Sequence, residues 1–353
     1  MKILINALSG NGDALMFSPA LRALKEKIPS AEIDMLVMFR SVKEMYENNP
    51  FLNNIFYVNF LKQSKLKSLS EVRKISNNKY DYSINVYPAN RSEYNILNAL
   101  LGAKTKIAHH YSHTNFGRLE FMNDVLINEV KDRHNVLQNF DLISTIENIG
   151  ELKDEEAGKM EIFISDNQKH DAEIFIRNIN TDNNLLVGFH PGSSLLKNHI
   201  HKRWDKIKYA ETGNRLMKDY NAKILLFGNE FDLNNEINLM MNNKAVIAST
   251  DNFMDSIARM KHCGLFISND TAFMHSAAAL DIPAAGIFAY TNARELYPWK
   301  TKNVVVRKEL SCSPCFYNSP KPATCIFQGA EEFKCIKTIE VNEVMEAAVR
   351  LIG

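Results

Sequence analysis

The chain has 353 residues, 45% of them hydrophobic and 24% charged, with a formal net charge of +1 and five cysteines. This length predicts two domains with sizeable cores, the near-neutral charge excludes a dedicated nucleic-acid binder, and no apolar run is long enough to span a membrane. No charged n-region, long apolar h-region and cleavage site open the sequence, so a cytoplasmic chain beginning at Met1, with reduced thiols, is expected.

Lys2 to Leu8 reads as a strand and Asp13 to Ile28 as a helix, with Leu15, Leu21, Leu24 and Ile28 near helical spacing. Ile33 to Met38, Ile55 to Val58 and Tyr80 to Val86 read as further strands with helical stretches between them, and Ile107-Ala108 as a weaker fifth. Such alternation implies a parallel sheet covered on both faces. Between Lys62 and Lys79 lie Lys65, Lys67, Arg73 and Lys74 against a single acid, Glu71. A solvated helix face and attraction to an anionic acceptor or membrane surface are both open readings. His109, His110 and His113, with Tyr111 and Arg118, match no zinc motif; they read as a surface loop or as an acceptor-facing one.

Residues 150 to 180 are charged and turn-like, which places the domain boundary there. Alternation then restarts, with strands at Leu185 to Phe189, Lys223 to Phe227 and Ala245 to Ala248 and helices at Lys206 to Asp219 and Asp255 to Met260. An amphipathic helix, Glu340 to Leu351, closes the chain. Two Rossmann-like halves with a cleft between them are the simplest architecture.

The chemistry concentrates at the ends of strands. Gly264 to Ile267 reads as a buried strand, Ser268-Asn269-Asp270-Thr271 as N-cap chemistry, and Met274 to Leu280 as a helix ended by Asp281-Ile282-Pro283 before a strand at Ala284 to Phe288. In this βαβ unit the helix start is an anion site suited to a nucleotide diphosphate. Leu8-Ser9-Gly10-Asn11-Gly12-Asp13 lies where the first strand turns into a helix; glycines there allow a φ-positive turn, and Leu15 occupies the third glycine position of a dinucleotide fingerprint. Asp13 is an N-cap or a general base. His190-Pro191-Gly192-Ser193-Ser194 follows the first strand of the second half, with Lys202-Arg203-Trp204 soon after. A cation there suits a diphosphate, while Trp204 reads as loop packing. Glu230, in Phe227-Gly228-Asn229-Glu230, is placed for ribose hydroxyls or for ordinary solvation.

In this order and spacing, GDALMFSPALRALK, HPGSS with KRW, FGNE and NDTAFMHSAAALDIPAAGIF resemble glycosyltransferase family nine, the ADP-heptose:lipopolysaccharide heptosyltransferases. The resemblance implies a GT-B fold: two Rossmann-like domains facing a central cleft, 1–170 acceptor-binding and 180–335 nucleotide-sugar-binding. A C-terminal helix over 338–353 is expected, with packing back on the N-terminal domain as one place for it. The resemblance also implies an inverting transfer that needs no cofactor for catalysis. An ADP-heptose-like donor and a lipopolysaccharide core or other glycan acceptor would be its substrates, with peripheral membrane association as a further option. By position Asp13 is the general base. Ser193, Ser194, Lys202, Asp270, Thr271 and Ala272 surround the diphosphate, Glu230 the ribose, and His275 lies one turn further in. Gly12, Lys62, His109, His110 and Arg118 are the acceptor-side candidates. The family commonly has Gly where this chain has Ala272, and a Gly-Pro-Thr-like loop where this chain has Ala289-Tyr290-Thr291-Asn292.

Cys312, Cys315, Cys325 and Cys335 follow C-x2-C-x9-C-x9-C within the loop 312–335, a pattern open to a structural zinc or iron or to unligated thiols. It resembles the tails of autotransporter heptosyltransferases, which would make the acceptor a protein. Cys263 reads as core within an apolar strand. A nucleotide-sugar epimerase and a non-catalytic glycan or nucleotide binder are the other expectations compatible with the sequence.

Overall fold

A computed structural model describes residues 1–112, 118–317 and 321–353; His113 lies outside the described residues. The chain divides into two compact units, Met1–Phe163 and Ile164–Gly353.

The first unit carries six strands: β1 (Lys2–Ala7), β2 (Glu32–Val37), β3 (Asn54–Tyr57), β4 (Tyr82–Asn85), β5 (Thr105–His110) and β6 (Val125–Asn128). They pair in the order β3-β2-β1-β4-β5-β6, all parallel, with Ile3 opposite Ile33 on one side and Tyr82 on the other. Ile3, Leu4 and Ile5 are all fully buried, as a strand covered by helices on both faces requires. The second unit carries β7 (Leu185–His190), β8 (Ala222–Leu226), β9 (Val246–Ile247), β10 (Leu265–Asn269), β11 (Ala284–Ile287) and β12 (Asn303–Val306). Their order, β12-β11-β10-β7-β8-β9, is again all parallel. Each sheet is thus doubly wound, and its strand order reverses once: between β1 and β4, and between β7 and β10. Crevices outside the carboxyl ends of strands at such reversals are where doubly wound folds bind ligands.

Several elements differ from the sequence expectation. The first helix is two, Asn11–Leu15 and Ser18–Lys27, because Pro19 falls in the first turn of the second. Its ring lacks an N–H and would clash with the carbonyl four residues earlier in a continuous helix. The fifth strand is a full six residues, and β6 and β12 are additional. Where the boundary was expected, Asp166–Ile179 is a helix of the second unit, started by a capping box between Ser165 and Gln168. Cys263 is buried in the turn before β10 rather than in a strand. The C-terminal helix, Val341–Ile352, is built into the second unit. Val341, Val344, Ala347, Ala348 and Leu351 enter the core of the second unit beside Trp204, Ile267 and Ile287, because its apolar stripe matches the open face of β10 and β11.

The first unit also buries a polar thread. Asn6 donates to Asn85 (3.1 Å) and Asn98 (3.0 Å), Asn98 to Asn123 (2.8 Å), Asn123 to Asn95 (2.8 Å), and Asn85 to Asn95 (3.3 Å). Ser83 adds a short hydrogen bond to the Asn98 side-chain oxygen. Among the described residues no helix is long and apolar enough to cross a membrane.

Candidate functional site

The reversal between β7 and β10 gathers the donor-side candidates. The loop after β7 and the turn after β10 are held together by Asn269, whose amide donates to the carbonyls of Pro191 (2.8 Å) and Gly192 (3.1 Å). The Asn269 side-chain oxygen accepts from the Trp204 N–H (3.0 Å) and the Tyr209 hydroxyl (3.2 Å). Trp204 is buried and donates its indole N–H to the Ile339 carbonyl (2.9 Å), so it packs the loop as expected.

Asp270 is buried against Lys202, with Nζ 2.6 Å from Oδ2, and the same oxygen accepts from the Thr291 hydroxyl (2.8 Å). Burial pushes the Asp270 carboxyl up, but Lys202, His275 and the two hydrogen bonds together outweigh it and hold it below the ordinary carboxylate range. The Lys202 charge is thus balanced by Asp270, whose carbonyl it also reaches at 3.4 Å, and its third donor is the one a diphosphate oxygen would meet. The helix Ala272–Ala279 follows with Thr271 as its N-cap residue in extended conformation. Thr271 makes no side-chain capping bond, contrary to the N-cap expectation, because its hydroxyl is 2.8 Å from His190 Nδ1 instead. The first-turn N–H groups are thereby left without a side-chain cap at the positive end of the helix, the arrangement that receives phosphate. Ala272 opens this helix on ordinary right-handed backbone, where a methyl carries no conformational penalty. His275 is buried, its Nδ1 has no partner, and burial pulls its pKa down to about 4, so it is neutral at physiological pH.

Glu230 is the best-built of the predicted residues. One oxygen, Oε1, accepts from the Ser193 N–H (3.0 Å) and Arg203 Nη2 (3.2 Å). The other, Oε2, lies 3.8 Å from His190 Nε2 and has no hydrogen-bond partner. Burial raises the Glu230 pKa, but His190 and Arg203 reverse this and keep it below its usual value. An ionised carboxylate with one oxygen fixed and the other buried without a partner keeps an acceptor that a ligand hydroxyl would satisfy. Two glycines make room for it. A Cβ on Gly192 would fall 2.3 Å from the Glu230 carboxylate, and Gly228, at φ +102°, would place one 2.6 Å from the His190 ring.

Ser193 differs from expectation. Its hydroxyl donates to the His199 carbonyl (2.8 Å) and accepts from Arg203 Nε (3.1 Å), so it braces the loop from a buried position. Ser194 is exposed and accepts from the Leu196 N–H (3.1 Å). His190, Arg203 and Asn269 are site members that motif reading did not single out. A histidine, an arginine and an asparagine at strand ends were the available signal.

In the first unit, Asp13 sits in the first turn of Asn11–Leu15, directly outside β1 at the reversal with β4. The two loops of that reversal are joined by the Ser9 hydroxyl donating to the Pro88 carbonyl (2.8 Å). The turn does not use left-handed backbone: Gly10 has φ −67° and Gly12 lies inside the helix. Asp13 is half-buried there and is not the N-cap, a position Gly10 takes. Of the acceptor-side candidates, Lys62 is exposed in the loop after β3. His109 and His110 are adjacent residues of β5 rather than of a surface loop, and so point to opposite faces. His109 is buried beside Tyr87, and burial, opposed by the Gln138 side chain, pulls its pKa down to about 3. His110 faces out and pairs with Glu120 at 2.6 Å. Arg118 lies over the Tyr111 ring, 6.0 Å from its centroid.

Cys312, Cys315, Cys325 and Cys335 line one small cavity of about 20 Å³, and the Phe333 N–H donates to Cys325 Sγ (3.3 Å). Burial, then the neighbouring cysteines, pushes Cys335 up to about 11. The donor set suits a thiophilic ion in kind, although among the described residues no three His, Cys, Asp or Glu side chains converge into a ligand array.

Two doubly wound units, one with a carboxylate at its strand reversal and the other with an uncapped helix start beside a lysine and a fixed glutamate, define a sugar-nucleotide transferase architecture. Residues 69–324 match the family model described as glycosyltransferase family 9 (heptosyltransferase), and the chain belongs to that family. It is 27% identical to lipooligosaccharide heptosyltransferase 2 of Campylobacter jejuni serotype O:2, over 100% of this chain and 98% of that protein. Among solved structures it is similar to a glycosyltransferase family 9 protein of Veillonella parvula (TM-score 0.76, 21% identity, 99% and 97% covered). A second is the Escherichia coli ADP-heptose lipopolysaccharide heptosyltransferase II (TM-score 0.72, 18% identity, 100% and 98% covered). Membership makes the chain a glycosyltransferase, in place of the epimerase and the non-catalytic binder that the sequence left open.

Proposed function

We propose that this chain transfers heptose, with inversion, from an ADP-heptose donor to a lipopolysaccharide-type core acceptor. The observation that carries the donor side is the Asp270–Lys202 pair beside the uncapped helix start at Ala272, and the buried, unpartnered Oε2 of Glu230 is the acceptor we assign to ribose. The diphosphate leaving group gains charge as the glycosidic bond breaks, and helix N–H groups with Lys202 stabilise that charge. On the first unit, Asp13 takes the proton from the acceptor hydroxyl, whose oxygen attacks the anomeric carbon from the face opposite the diphosphate. Asp13→Asn keeps the volume and removes the base. Turnover of ADP-heptose is expected to fall about 10²–10⁴-fold while the donor dissociation constant, measured by calorimetry, stays within about twofold. Unchanged turnover would remove Asp13 from this role, and a wild-type preference for a UDP-sugar would overturn the donor.

The four cysteines support a second element of the proposal, a structural zinc or iron held by Cys312, Cys315, Cys325 and Cys335. Its chemistry there would be to cross-link the loop without entering the transfer. Metal content of the purified chain tests it: one ion per chain is expected, and none would leave the loop held by packing alone.

A further inference from the structure

His190 ends β7 and is buried, with its ring beside that of Phe273 at a centroid distance of 4.5 Å. Gly228 admits the ring from the other strand end, since a Cβ there would stand 2.6 Å from it. The two ring nitrogens face the two ends of the donor site. Nδ1 lies 2.8 Å from the Thr271 hydroxyl at the helix start, and Nε2 lies 3.8 Å from Oε2 of Glu230.

The protons can be followed from one end to the other. The Ser268 hydroxyl donates to the Asn269 carbonyl at 2.7 Å, so toward Thr271, 3.3 Å away, it can only accept. The Thr271 proton therefore has two acceptors in reach, His190 Nδ1 at 2.8 Å and Ser268 Oγ at 3.3 Å. Glu230 decides between them. An ionised carboxylate offers acceptors alone, so the ring nitrogen that faces it is favoured as N–H. An imidazole with its one proton on Nε2 keeps a lone pair on Nδ1, and that lone pair takes the Thr271 proton.

The ring thereby acts at both ends. Turned to His190, the Thr271 hydroxyl makes no capping bond to its own helix, and the first-turn N–H groups stay available to a diphosphate. At 3.8 Å the Nε2–H is too far from Oε2 for a hydrogen bond, so it favours the carboxylate without consuming the acceptor assigned to ribose.

We propose that His190 is a positioning residue of the donor site with its proton on Nε2: Nδ1 withholds the Thr271 hydroxyl from the helix start, and Nε2 sets the Glu230 oxygen for ribose. The role rests on the donor reading above; the tautomer does not.

Long-range proton–nitrogen correlation spectra of the ligand-free protein read the tautomer. Nε2 protonated and Nδ1 bare is expected; a proton on Nδ1, alone or together with Nε2, would overturn the proposal whether or not ADP binds. Isosteres separate the two contacts, because an Asn amide ends where Nδ1 lies and a Gln amide reaches the place of Nε2. Calorimetry with pyrophosphate reads the helix start, and the affinity ratio of ADP to its dideoxyribose analogue reads the ribose end. His190→Gln should weaken pyrophosphate binding about fivefold, the worth of one capping bond, and keep the ratio. His190→Asn should hold pyrophosphate within about twofold and lower the ratio about fivefold or more. In a Thr271→Val background, His190→Gln should cost pyrophosphate nothing further, because no hydroxyl remains to cap the helix. Equal losses of both readouts in the two isosteres would mark a merely structural histidine and overturn the role, as would additive losses with Thr271→Val. A wild type that binds neither pyrophosphate nor ADP would remove the donor reading, and the role with it, while the tautomer result stands.

Discussion

Gly192 and Gly228 decide how closely the backbone approaches Glu230 and His190. In Gly192→Ala the new methyl would overlap the carboxylate, so either the Ser193 N–H contact or the Arg203 contact must open. Donor KM is expected to rise about tenfold or more, as the loss of a charge-assisted hydrogen bond implies, with kcat changed much less. A kcat loss at unchanged KM would show instead that Glu230 acts in the transition state. The positions of Asp13, Asp270 and Glu230 beyond the carboxyl ends of β1, β10 and β8 were legible in the sequence, because each lies shortly after an apolar strand, the edge where a doubly wound sheet binds ligands. Asn269, His190 and Arg203 were not, because their roles exist only through partners far along the chain. Arg203 reaches Glu230 across 27 residues, and Asn269 reaches Pro191 across 78. Ser193 shows the converse. Its motif position suggested a ligand contact, while its two hydrogen bonds spend the hydroxyl on the loop.

Among the elements, the long apolar strands and the edge strands β3 and β9 were readable from composition, and the edge strands β6 and β12 were not. β6 and β12 are four residues each, with mixed exposure that carries little pattern. The helix Asp166–Ile179 buries only Ala172 fully, so its periodicity is weak and its charged approach resembled a linker. The Cys-rich loop is tied to the donor side by backbone: the N–H groups of Cys315 and Phe316 both donate to the Tyr290 carbonyl, at 3.0 and 3.3 Å. Tyr290 precedes Thr291, which bonds Asp270. If the loop holds an ion, removing it with a chelator should lower the melting temperature by several degrees and weaken ADP binding, while Cys263→Ala leaves the metal content unchanged. A chelated protein with unaltered ADP affinity would separate the loop from the donor site.

At the scale of the whole molecule, buried neutral histidines set the acid limit. Burial holds His109 in the first unit at about 3 and His275 in the second at about 4, and in the half-buried His199 partial burial with the Lys202 charge gives about 3. An unfolded chain binds these protons near pH 6.5, so below that value the unfolded state takes up protons that the native state refuses. Stability is therefore full above about pH 6.5 and falls with pH by up to about 1.4 kcal/mol per unit for each histidine, until the native values are reached. The depressed Asp270 acts in the same direction, its contribution present above the ordinary carboxylate pKa and lost as pH falls through its native one. Urea midpoints should decline from pH 7 to pH 5, and His275→Gln should flatten that decline; midpoints independent of pH would contradict it. The asparagine thread has a different consequence. Asn85, Asn98 and Asn123 each accept from one amide of the thread and donate to another, so replacing one by an apolar side chain leaves buried neighbours without their partner. Asn6, Asn85, Asn95, Asn98 and Asn123 thus form one epistatic block: the N-terminal unit can drift there only by compensated, simultaneous changes.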